Sequence, residues 1–458
     1  MKVNLNIINV SFAIFLLGVF FLPFNSWQGL SFLGEYHRDS SILFFLVTFI
    51  IMLFKKKIQL PFHTPLFYIL IVFLILPITS ILFNFESVIS YSFKQTSGFA
   101  RFIRQYASLI IAAFILPITF YNIFISVEIQ DYWKRIRKAM LYSLIVVSAY
   151  ATVEILIVKF DMVFLRKSVL NLFDYLPFVD AKPDLRLKRI SSITFESPAL
   201  GTYLITIFSW MSSYVITSKS KYKFIPIMVV IFLALVSGSR AATFIVLFQA
   251  VTFIIIISQL KQYKNVFSKV LISLILITSI GAFFSAPKII NYVKSEIQSF
   301  KLNDSDHATS NKSRFGIQYA MFKVFLENPI IGTGYGLQTF EARSKYPNWA
   351  KRDNWEFRVL YLNQNNKSFP PGFNLYLRLA SELGIIGTGV FLIFITYIMF
   401  WSYKSVLIKN NALEIIVFIS MIGFILNWLK MDTFRIYGFW ICLSLIFSIT
   451  KQNYNNEE

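Results

Sequence analysis

Residues 383–403 read LGIIGTGVFLIFITYIMFWSY, and no side chain in this run is charged. An α-helix needs about 20 apolar residues to cross the hydrocarbon core of a bilayer. Because lipid offers the backbone no hydrogen-bond partner, a segment of this kind must be helical. The run therefore predicts a transmembrane helix.

The same apolar character recurs along the chain of 458 residues, without a visible internal repeat. We predict about twelve spans, at residues 7–24, 40–54, 66–83, 102–120, 139–158, 199–217, 224–236, 241–257, 270–284, 383–403, 413–428 and 434–450. The predicted fold class is an all-α polytopic membrane protein, with residues 1–458 forming a single integral membrane domain.

The composition excludes a water-soluble or disordered protein. Hydrophobic residues make up 56% of the chain and charged residues only 15%, whereas a soluble domain contains about 25% charged residues. Disorder requires few aromatic residues, and this chain contains 51 phenylalanines.

The net charge of +21 favours anionic partners such as phospholipid headgroups, lipid diphosphates or acidic glycans. No nucleic-acid partner is expected, because most of the chain lies in lipid. Cys442 is the single cysteine and there are three histidines, so we predict no intramolecular disulfide, no metal site and no cofactor.

Lysine and arginine clusters in short loops mark the cytoplasmic side of a membrane protein. Here they follow even-numbered spans, at residues 55–57, 134–138, 219–223 and 261–269. Both termini are therefore expected in the cytoplasm. Two long connections then face outward, residues 159–197 and, between spans nine and ten, residues 286–372. Loops this long usually carry function.

Arginine is distributed unevenly across the predicted membrane. Of fifteen arginines, only Arg135 and Arg137 fall on the predicted cytoplasmic side. Lysines divide nearly evenly, so the bias concerns the side chain whose planar guanidinium binds phosphate with two hydrogen bonds. Contact with lipid headgroups at helix ends explains individual arginines, but it explains the whole set poorly.

Arg101 and Arg104 stand three residues apart at the outer start of span four. This spacing places them on one helical face near a helix N-terminus, whose dipole favours an anion. Together they are expected to hold one diphosphate, or alternatively to anchor the helix in the membrane interface.

Arg186, Lys188 and Arg189 precede ISSITFESPALGTY at residues 190–203. Pro198 suits the first turn of span six and Ser197 suits its N-cap. Glu196 then lies at the membrane edge beside basic residues, where a carboxylate could act as a general base. The alternative is that Glu196 caps the helix or pairs with Arg189.

Two further arginines flank the outward side of spans seven to nine. Arg240, in SGSRAA at residues 237–242, lies at the bilayer edge without a local carboxylate, so an anionic ligand is expected. Arg314 opens RFGIQYAMFKVFLE at residues 314–327, whose spacing of apolar residues predicts an amphipathic helix along the membrane surface. The glycines of NPIIGTGYG at residues 328–336 predict a flexible turn and not a nucleotide loop.

The remaining candidates lie near the end of the chain and in span five. Arg378 and Glu382 are spaced for a helical ion pair, although arginine before glutamate is the weaker order. Asp432 and Arg435 form an outward corner between the last two spans. Glu154, inside span five, is an intramembrane carboxylate and hence a functional candidate.

These features together resemble the bacterial O-antigen ligase and O-antigen polymerase superfamily, the latter often called Wzy-type polymerases. The resemblance lies in the twelve-span layout, the large loop between spans nine and ten, SGSRAA, and the loop sequence at residues 314–336. Its most specific part is the ligase pattern of His-Asn, nine residues, then Gly-x-x-Gly. Here Asn374 is followed by nine residues and then by Gly384 and Gly387.

One position departs from the ligase pattern. Phe373 stands where that pattern has the histidine proposed to act in catalysis. The departure favours the polymerases, which share the scaffold without following that histidine pattern, and the segment at residues 189–204 also looks like a polymerase segment.

The resemblance implies glycosyl transfer on the periplasmic face of the inner membrane between undecaprenyl-diphosphate-linked oligosaccharides, inverting and independent of metal. It implies membrane lipids and a protein that regulates chain length as partners. In that setting we expect Glu196 and Arg240 to be catalytic. We expect the diphosphate and substrate to be bound by Arg101, Arg104, Arg186, Arg189, Arg314, Asn374, Arg378 and Arg435.

Two alternatives stay open. An O-antigen ligase would transfer glycan to lipid A core, using a base other than the missing histidine. A lipid-linked oligosaccharide flippase would predict short loops and charged residues through the bundle midplane, and the 87 residues of the predicted 286–372 loop disfavour it.

Overall fold

The computed structural model describes residues 2–54, 58–127, 129–269 and 308–457. Predicted span nine lies outside these ranges, as do Lys55, Lys56, Lys57 and residues 286–307 of the predicted large loop. The described chain is mostly helical, which confirms the predicted all-α class.

The α-helices of the described ranges are α1 Lys2–Phe20, α2 Ser40–Leu53, α3 Pro65–Phe83, α4 Phe85–Ser90, α5 Gly98–Ile110, α6 Leu116–Ser126, α7 Ile129–Lys159, α8 Leu165–Ser168, α9 Ser197–Thr217, α10 Ile225–Val236, α11 Arg240–Gln259, α12 Ala308–Glu327, α13 Gln338–Ala342, α14 Asn348–Lys351, α15 Leu375–Lys409, α16 Ala412–Asn427 and α17 Tyr437–Glu457. A π-helical segment, Ile111–Ile115, joins α5 to α6. Shorter 3₁₀ or π turns cover Ser31–Tyr36, Leu170–Tyr175, Lys261–Tyr263 and Glu356–Tyr361. An antiparallel hairpin pairs β1, Ser92–Phe93, with β2, Thr96–Ser97.

The apolar helices identify a multi-pass membrane protein. Within the described ranges, six helical stretches are long and apolar enough to cross a membrane, namely Pro65–Phe83, Gly98–Ser126, Tyr132–Lys159, Ser197–Thr217, Arg240–Gln259 and Leu375–Lys409. Shorter apolar helices cover Ile8–Phe20, Ser40–Leu53, Ile225–Val236 and Ala412–Asn427. The count of twelve spans and the side of the membrane on which each loop lies stay predictions.

Helix α9 lies at the centre of the bundle, where it packs against α10, α11 and α16. Its apolar side chains are buried on almost every side, among them Phe208 and Trp210. A hydrogen bond between the Ser209 and Ser420 hydroxyls joins it to α16. Small polar residues of this kind allow close helix packing where lipid supplies no hydrophobic driving force between helices.

Helix α15 is broken at Gly384, which has φ +62° and ψ −161°. The residues around the break cannot complete the helical hydrogen-bond ladder, and residues 329–334 supply the missing partners. Thr333 N–H donates to Ser381 O and Gly334 N–H donates to Glu382 O, each over 3.0 Å, and Ile385 N–H donates to Pro329 O over 2.8 Å. The predicted flexible turn is therefore a backbone partner of a broken membrane helix.

The described part of the large loop, residues 308–372, has a small core of its own. Ile317, Ala320, Met321 and Val324 on one side of α12 are buried against Ala342, Tyr346, Ala350, Phe357 and Tyr361. The opposite side of α12 exposes Phe315, Tyr319, Phe322 and Leu326. Residues 314–327 are helical as predicted, but the helix is not amphipathic, because apolar side chains lie on both of its sides. Its position along the membrane surface stays a prediction.

We predict that Gly384→Ala lowers the unfolding temperature of the detergent-solubilised protein. A Cβ at Gly384 would lie 2.2 Å from the Ile330 carbonyl oxygen, and a residue with a side chain is strained at this positive φ. The strain and the clash should cost at least about 1–3 kcal/mol.

Gly389→Ala is the matched control, because a Cβ there meets nothing within 4 Å and alanine favours a helix over glycine. Unfolding temperatures are measured by differential scanning fluorimetry. Equal unfolding temperatures for the two variants would contradict the structural role of the break.

Candidate functional site

Three arginines from separate segments meet around the start of α12. Arg240, the first residue of α11, donates from Nη2 to Asn311 Oδ1 over 3.1 Å, and Asn311 lies one turn before Arg314 on α12. The Arg189 side chain packs on Gly238, where a Cβ would lie 3.0 Å from Arg189 Cγ. Gly238, at φ +74°, has no side chain and so leaves space for Arg189. Arg240 follows two residues later in the chain.

Lys430 completes this group from the turn after α16. Its Nζ is buried and has no hydrogen-bond partner within the described ranges. Burial and the nearby charge of Arg314 lower the pKa of Lys430 to about 8, and the charge of Glu196 opposes this shift. We call Arg189, Arg240, Arg314 and Lys430 the basic cluster.

Glu196 provides a carboxylate beside the basic cluster. It occupies the N-cap position of α9, but its side chain makes no capping hydrogen bond. Although Glu196 is exposed, desolvation by its surroundings raises the pKa of the carboxyl, while the charges of Arg314, Lys430 and Arg189 act against that rise. A carboxylate with a raised pKa and free lone pairs is suited to accept a proton.

The start of α9 differs from the sequence prediction by one residue. Ser197 was predicted as the N-cap, but it is the first helical residue and its hydroxyl donates to Ser237 O over 2.9 Å. Pro198 lies in the first turn as predicted. The bond ties the start of α9 to the SGSR segment that carries Arg240.

Glu154 holds the chain segment that leads to Glu196. Its carboxylate accepts hydrogen bonds from Ser191 N–H and Ser191 hydroxyl, over 3.2 and 3.3 Å, and from Ser192 N–H over 2.7 Å. Ser192 has φ +52°, so these bonds stabilise a conformation that a non-glycine residue rarely adopts. Glu154 is completely buried, and its bonds to Ser191 and Ser192 position the segment from Arg189 to Glu196.

Three other predicted arginines, Arg101, Arg378 and Arg435, line a cavity of about 200 Å³. Two carboxylates also line it, Glu35 and Asp432. The cavity lies between the start of α5, the start of α15 and the corner before α17.

Arg378 is held by a dense set of hydrogen bonds. Its Nε donates to both carboxylate oxygens of Glu382 over 3.2 Å, Nη1 donates to Asp432 O over 2.6 Å, and Nη2 donates to Gln105 Oε1 over 2.7 Å. The predicted ion pair of Arg378 and Glu382 is thus present and buried. All three nitrogens of this guanidinium donate hydrogen bonds within the protein, and the bond to Gln105 joins α15 to α5.

Arg435 is likewise paired within the protein. Its guanidinium lies 3.9 Å from Glu35 Oε2 and 3.7 Å from Asp39 Oδ2. It also donates to the backbone oxygen of Glu35 and to Thr433 Oγ1. Arg435 therefore joins the corner before α17 to the connection between α1 and α2.

The chain segment 369–373 separates the cavity from the basic cluster. Phe369, Pro370 and Pro371 line the cavity. On the other side, the Arg314 guanidinium lies 5.3 Å from the ring centroid of Phe373, which has φ +57°. The two sites are therefore neighbours across one extended segment.

Two of the four residues of the basic cluster, Arg240 and Arg314, lie in a stretch that resembles a known family. Residues 225–392 match the family model described as O-antigen ligase. This stretch is an O-antigen ligase family domain. It confirms the predicted relationship to the O-antigen ligase and polymerase superfamily, while no curated protein matches the chain.

The O-antigen ligase family domain includes four of the predicted site residues. Arg240 and Arg314 belong to the basic cluster, and Arg378 lines the cavity. Asn374 is the N-cap of α15, where its side chain accepts a hydrogen bond from Leu377 N–H over 3.1 Å. The family domain thus reaches both sites.

Two predicted arginines lie away from both sites. Arg104 is exposed and donates to Thr96 Oγ1 over 3.2 Å, so the structure does not bring it together with Arg101 in the cavity. Arg186 is also exposed, and its backbone N–H donates to Asp184 Oδ1 over 3.1 Å.

Several residues of these sites were not predicted from the sequence. Lys430 was missed because a single lysine at a helix end usually contacts headgroups. Glu35, Asp39 and Gln105 were missed because their partners are 70 to 400 residues away in the chain. The charged string GEYHRD, residues 34–39, between two apolar segments was the available signal for the first two.

We predict that the stability of the protein rises relative to Lys430→Met as the pH increases from 8 to 10. The folded pKa of Lys430, about 8, lies below its ordinary value of 10.5, so the unfolded state binds more protons in this range. Stability rises with pH wherever the unfolded state binds more protons.

Unfolding temperatures of both proteins are compared at each pH, with the exposed Lys351→Met as the control. The control should run parallel to the unsubstituted protein. A constant difference between the unsubstituted protein and Lys430→Met across this range would refute the desolvation of Lys430.

Proposed function

We propose that this protein is an O-antigen polymerase, which joins undecaprenyl-diphosphate-linked oligosaccharide repeat units on the periplasmic face of the bacterial inner membrane. The observation that carries the proposal is the basic cluster, whose members come from four chain segments and meet beside Glu196. In this proposal both termini are cytoplasmic, membrane lipids surround the bundle, and a separate protein regulates chain length.

The basic cluster is suited to hold the diphosphate of the glycan donor. Burial lowers the pKa of Arg314, the charge of Arg189 lowers it further, and Glu196 opposes them, so these cations are close enough to act on one ligand. Lys430 adds a buried ammonium without a hydrogen-bond partner in the described ranges. Gathering like charges is costly unless an anion binds among them, and a diphosphate carries the opposite charge.

The reaction proposed is one inverting displacement. The acceptor sugar hydroxyl oxygen forms a bond to the anomeric carbon of the donor while the bond from that carbon to the diphosphate oxygen breaks. The hydroxyl proton passes to Glu196, and the electron pair of the broken bond leaves with the diphosphate. Negative charge develops on the leaving group in the transition state, where fixed guanidinium groups stabilise it most.

Glu196 is the base that the geometry favours. Its carboxylate makes no capping bond, and its raised pKa brings its proton affinity closer to that required near neutral pH. The charges of Arg314 and Lys430 act on Glu196, so a diphosphate held by these two cations would leave next to the base.

Phe373 favours a polymerase over a ligase. The side chain beneath the Arg314 guanidinium is a phenyl ring that carries no proton donor or acceptor, so the histidine chemistry of the ligase pattern is missing there. A ligase remains the second candidate, because the family matched by residues 225–392 is described as O-antigen ligase. An elongation assay in liposomes distinguishes a polymerase from a flippase, because a flippase relocates repeat units without joining them.

We predict that Arg314→Gln and Glu196→Gln each abolish most elongation in liposomes that contain the purified protein and a lipid-linked repeat unit. Loss of one transition-state cation should cost roughly 10²–10³ in rate, and loss of a general base should cost roughly 10²–10⁴. Glu196→Gln should lower kcat with little change in KM, because it leaves the diphosphate ligands in place.

Arg352→Gln serves as the matched control, since Arg352 is an exposed arginine outside both sites. The product length is read on gels, without a transmembrane gradient. Unchanged products from Arg314→Gln would remove the basic cluster from catalysis, and repeat units that relocate without elongation would indicate a flippase.

We predict that a cell without this protein carries lipid A core capped with a single repeat unit, because the ligase of the cell still acts on unpolymerised donor. Lipopolysaccharide is separated by size and the lipid-linked intermediates are extracted. Bare core together with lipid-linked polymer would instead identify this protein as the ligase.

A further inference from the structure

The cavity beside the basic cluster differs from it in size and in charge. At about 200 Å³ it is smaller than the roughly 300–1,000 Å³ of pockets for drug-sized ligands. It is suited to one sugar ring and not to a diphosphate that carries a lipid and a glycan. Its lining mixes three arginines with two carboxylates, whereas in the basic cluster the charges of Arg314, Lys430 and Arg189 act on the Glu196 carboxyl.

Most of the charge in the cavity is already balanced by the protein. Arg378 pairs with Glu382, and Arg435 pairs with Glu35 and Asp39. Asp432 accepts a hydrogen bond from Gly372 N–H over 2.6 Å. A ligand with several negative charges would therefore meet carboxylates that repel it and guanidinium groups that are already occupied.

Arg101 is the exception among these arginines. Its guanidinium carbon lies 4.0 Å from the ring centroid of Phe369, and its Nε is buried without a hydrogen-bond partner. Within the described ranges it forms no ion pair within 4.0 Å, in contrast to Arg378 and Arg435. A half-buried guanidinium whose Nε has no hydrogen-bond partner in the described ranges favours one monoanion, and a carboxylate matches its planar geometry.

We propose that the cavity is a second subsite, which binds one sugar ring carrying a carboxylate, with Arg101 as the ligand of that carboxylate. Glu35 and Asp432 keep unused lone pairs that can accept hydrogen bonds from sugar hydroxyls. Phe434 and Leu109 provide apolar walls for the C–H faces of the ring. Arg101 thus recognises the glycan and not the diphosphate.

The position of the cavity fits this role. Segment 369–373 runs from one site to the other. Phe369, at one end, lies in the cavity wall, and the ring of Phe373, at the other end, lies against Arg314 of the basic cluster. Asp432 of the cavity and Lys430 of the cluster are two residues apart on the same turn. A glycan whose diphosphate lies in the cluster could therefore place a nearby acidic sugar in the cavity. This step rests on the function proposed above.

The test is binding without turnover. Purified full-length protein in detergent is titrated with methyl glucuronide and methyl galacturonide, with the matching neutral glycosides, and with inorganic pyrophosphate, using ligand-observed NMR. We expect at least one uronide to bind about tenfold more tightly than its neutral glycoside, and Arg101→Gln to remove that preference. The exposed control Arg352→Gln should keep it.

Arg101→Lys is the second test variant, and it replaces Arg101→Gln if that variant does not fold. It keeps the charge but loses the planar fork, so we expect uronide affinity to fall about threefold to tenfold. Unfolding temperature and gel filtration establish that each variant is folded.

Two results would overturn the proposal. One is that neither uronide binds better than its neutral glycoside. The other is that Arg101→Gln, and not Arg314→Gln, abolishes pyrophosphate binding, which would make the cavity the diphosphate site. Uronide binding by a protein that does not elongate repeats would refute the polymerase and keep the subsite. Elongation without uronide binding would refute the subsite alone.

Discussion

The requirement that every buried backbone polar group finds a hydrogen-bond partner connects the membrane helices of this protein to its large loop. Gly384 interrupts α15, and the broken ladder is completed by residues 329–334. This pairing fixes the end of the segment that follows α12, and it fixes the first turns of α15. Arg314 lies on α12, which leads into that segment, and Arg378 lies in the first turns of α15, so the same backbone contact supports an element of each site.

The two neighbouring sites differ in how far carboxylates of the protein pair with their cations. In the cavity, the protein supplies Glu382, Glu35 and Asp39 as partners for Arg378 and Arg435, so these arginines hold the structure together. In the basic cluster, Glu196 faces several cations, and the Lys430 ammonium is buried. A buried ammonium is costly to leave without a hydrogen bond, and Lys430 Nζ has no such partner within the described ranges.

Segment 369–373 connects these sites and contains Phe373, which stands where the ligase pattern has a histidine. Gly372 N–H contacts Asp432, and the Phe373 carbonyl accepts a hydrogen bond from Gln318 over 3.2 Å. Phe373 is thus held at a positive φ by bonds from two elements. A phenyl ring at this place offers the guanidinium of Arg314 an aromatic face and no proton.

The amino-acid sequence alone predicts the helical membrane class and the apolar segments, because an apolar run of about 20 residues in lipid has to be helical. It also identified Arg240 and Arg314 as candidate site residues and predicted the ion pair of Arg378 and Glu382, because these inferences need only local spacing and charge. The break at Gly384 lies inside a run that reads as a continuous helix, so only its distant partner shows why the glycine is needed.

Only the tertiary structure decided which charges meet. Arg101 and Arg104 share a helical face by spacing, yet Arg101 lines the cavity while Arg104 is exposed. Lys430 and Glu35 become site residues through partners from distant parts of the chain. The physical reason is that an ion's energy depends on distance and burial in three dimensions, and neither quantity can be read from the spacing of residues along a chain.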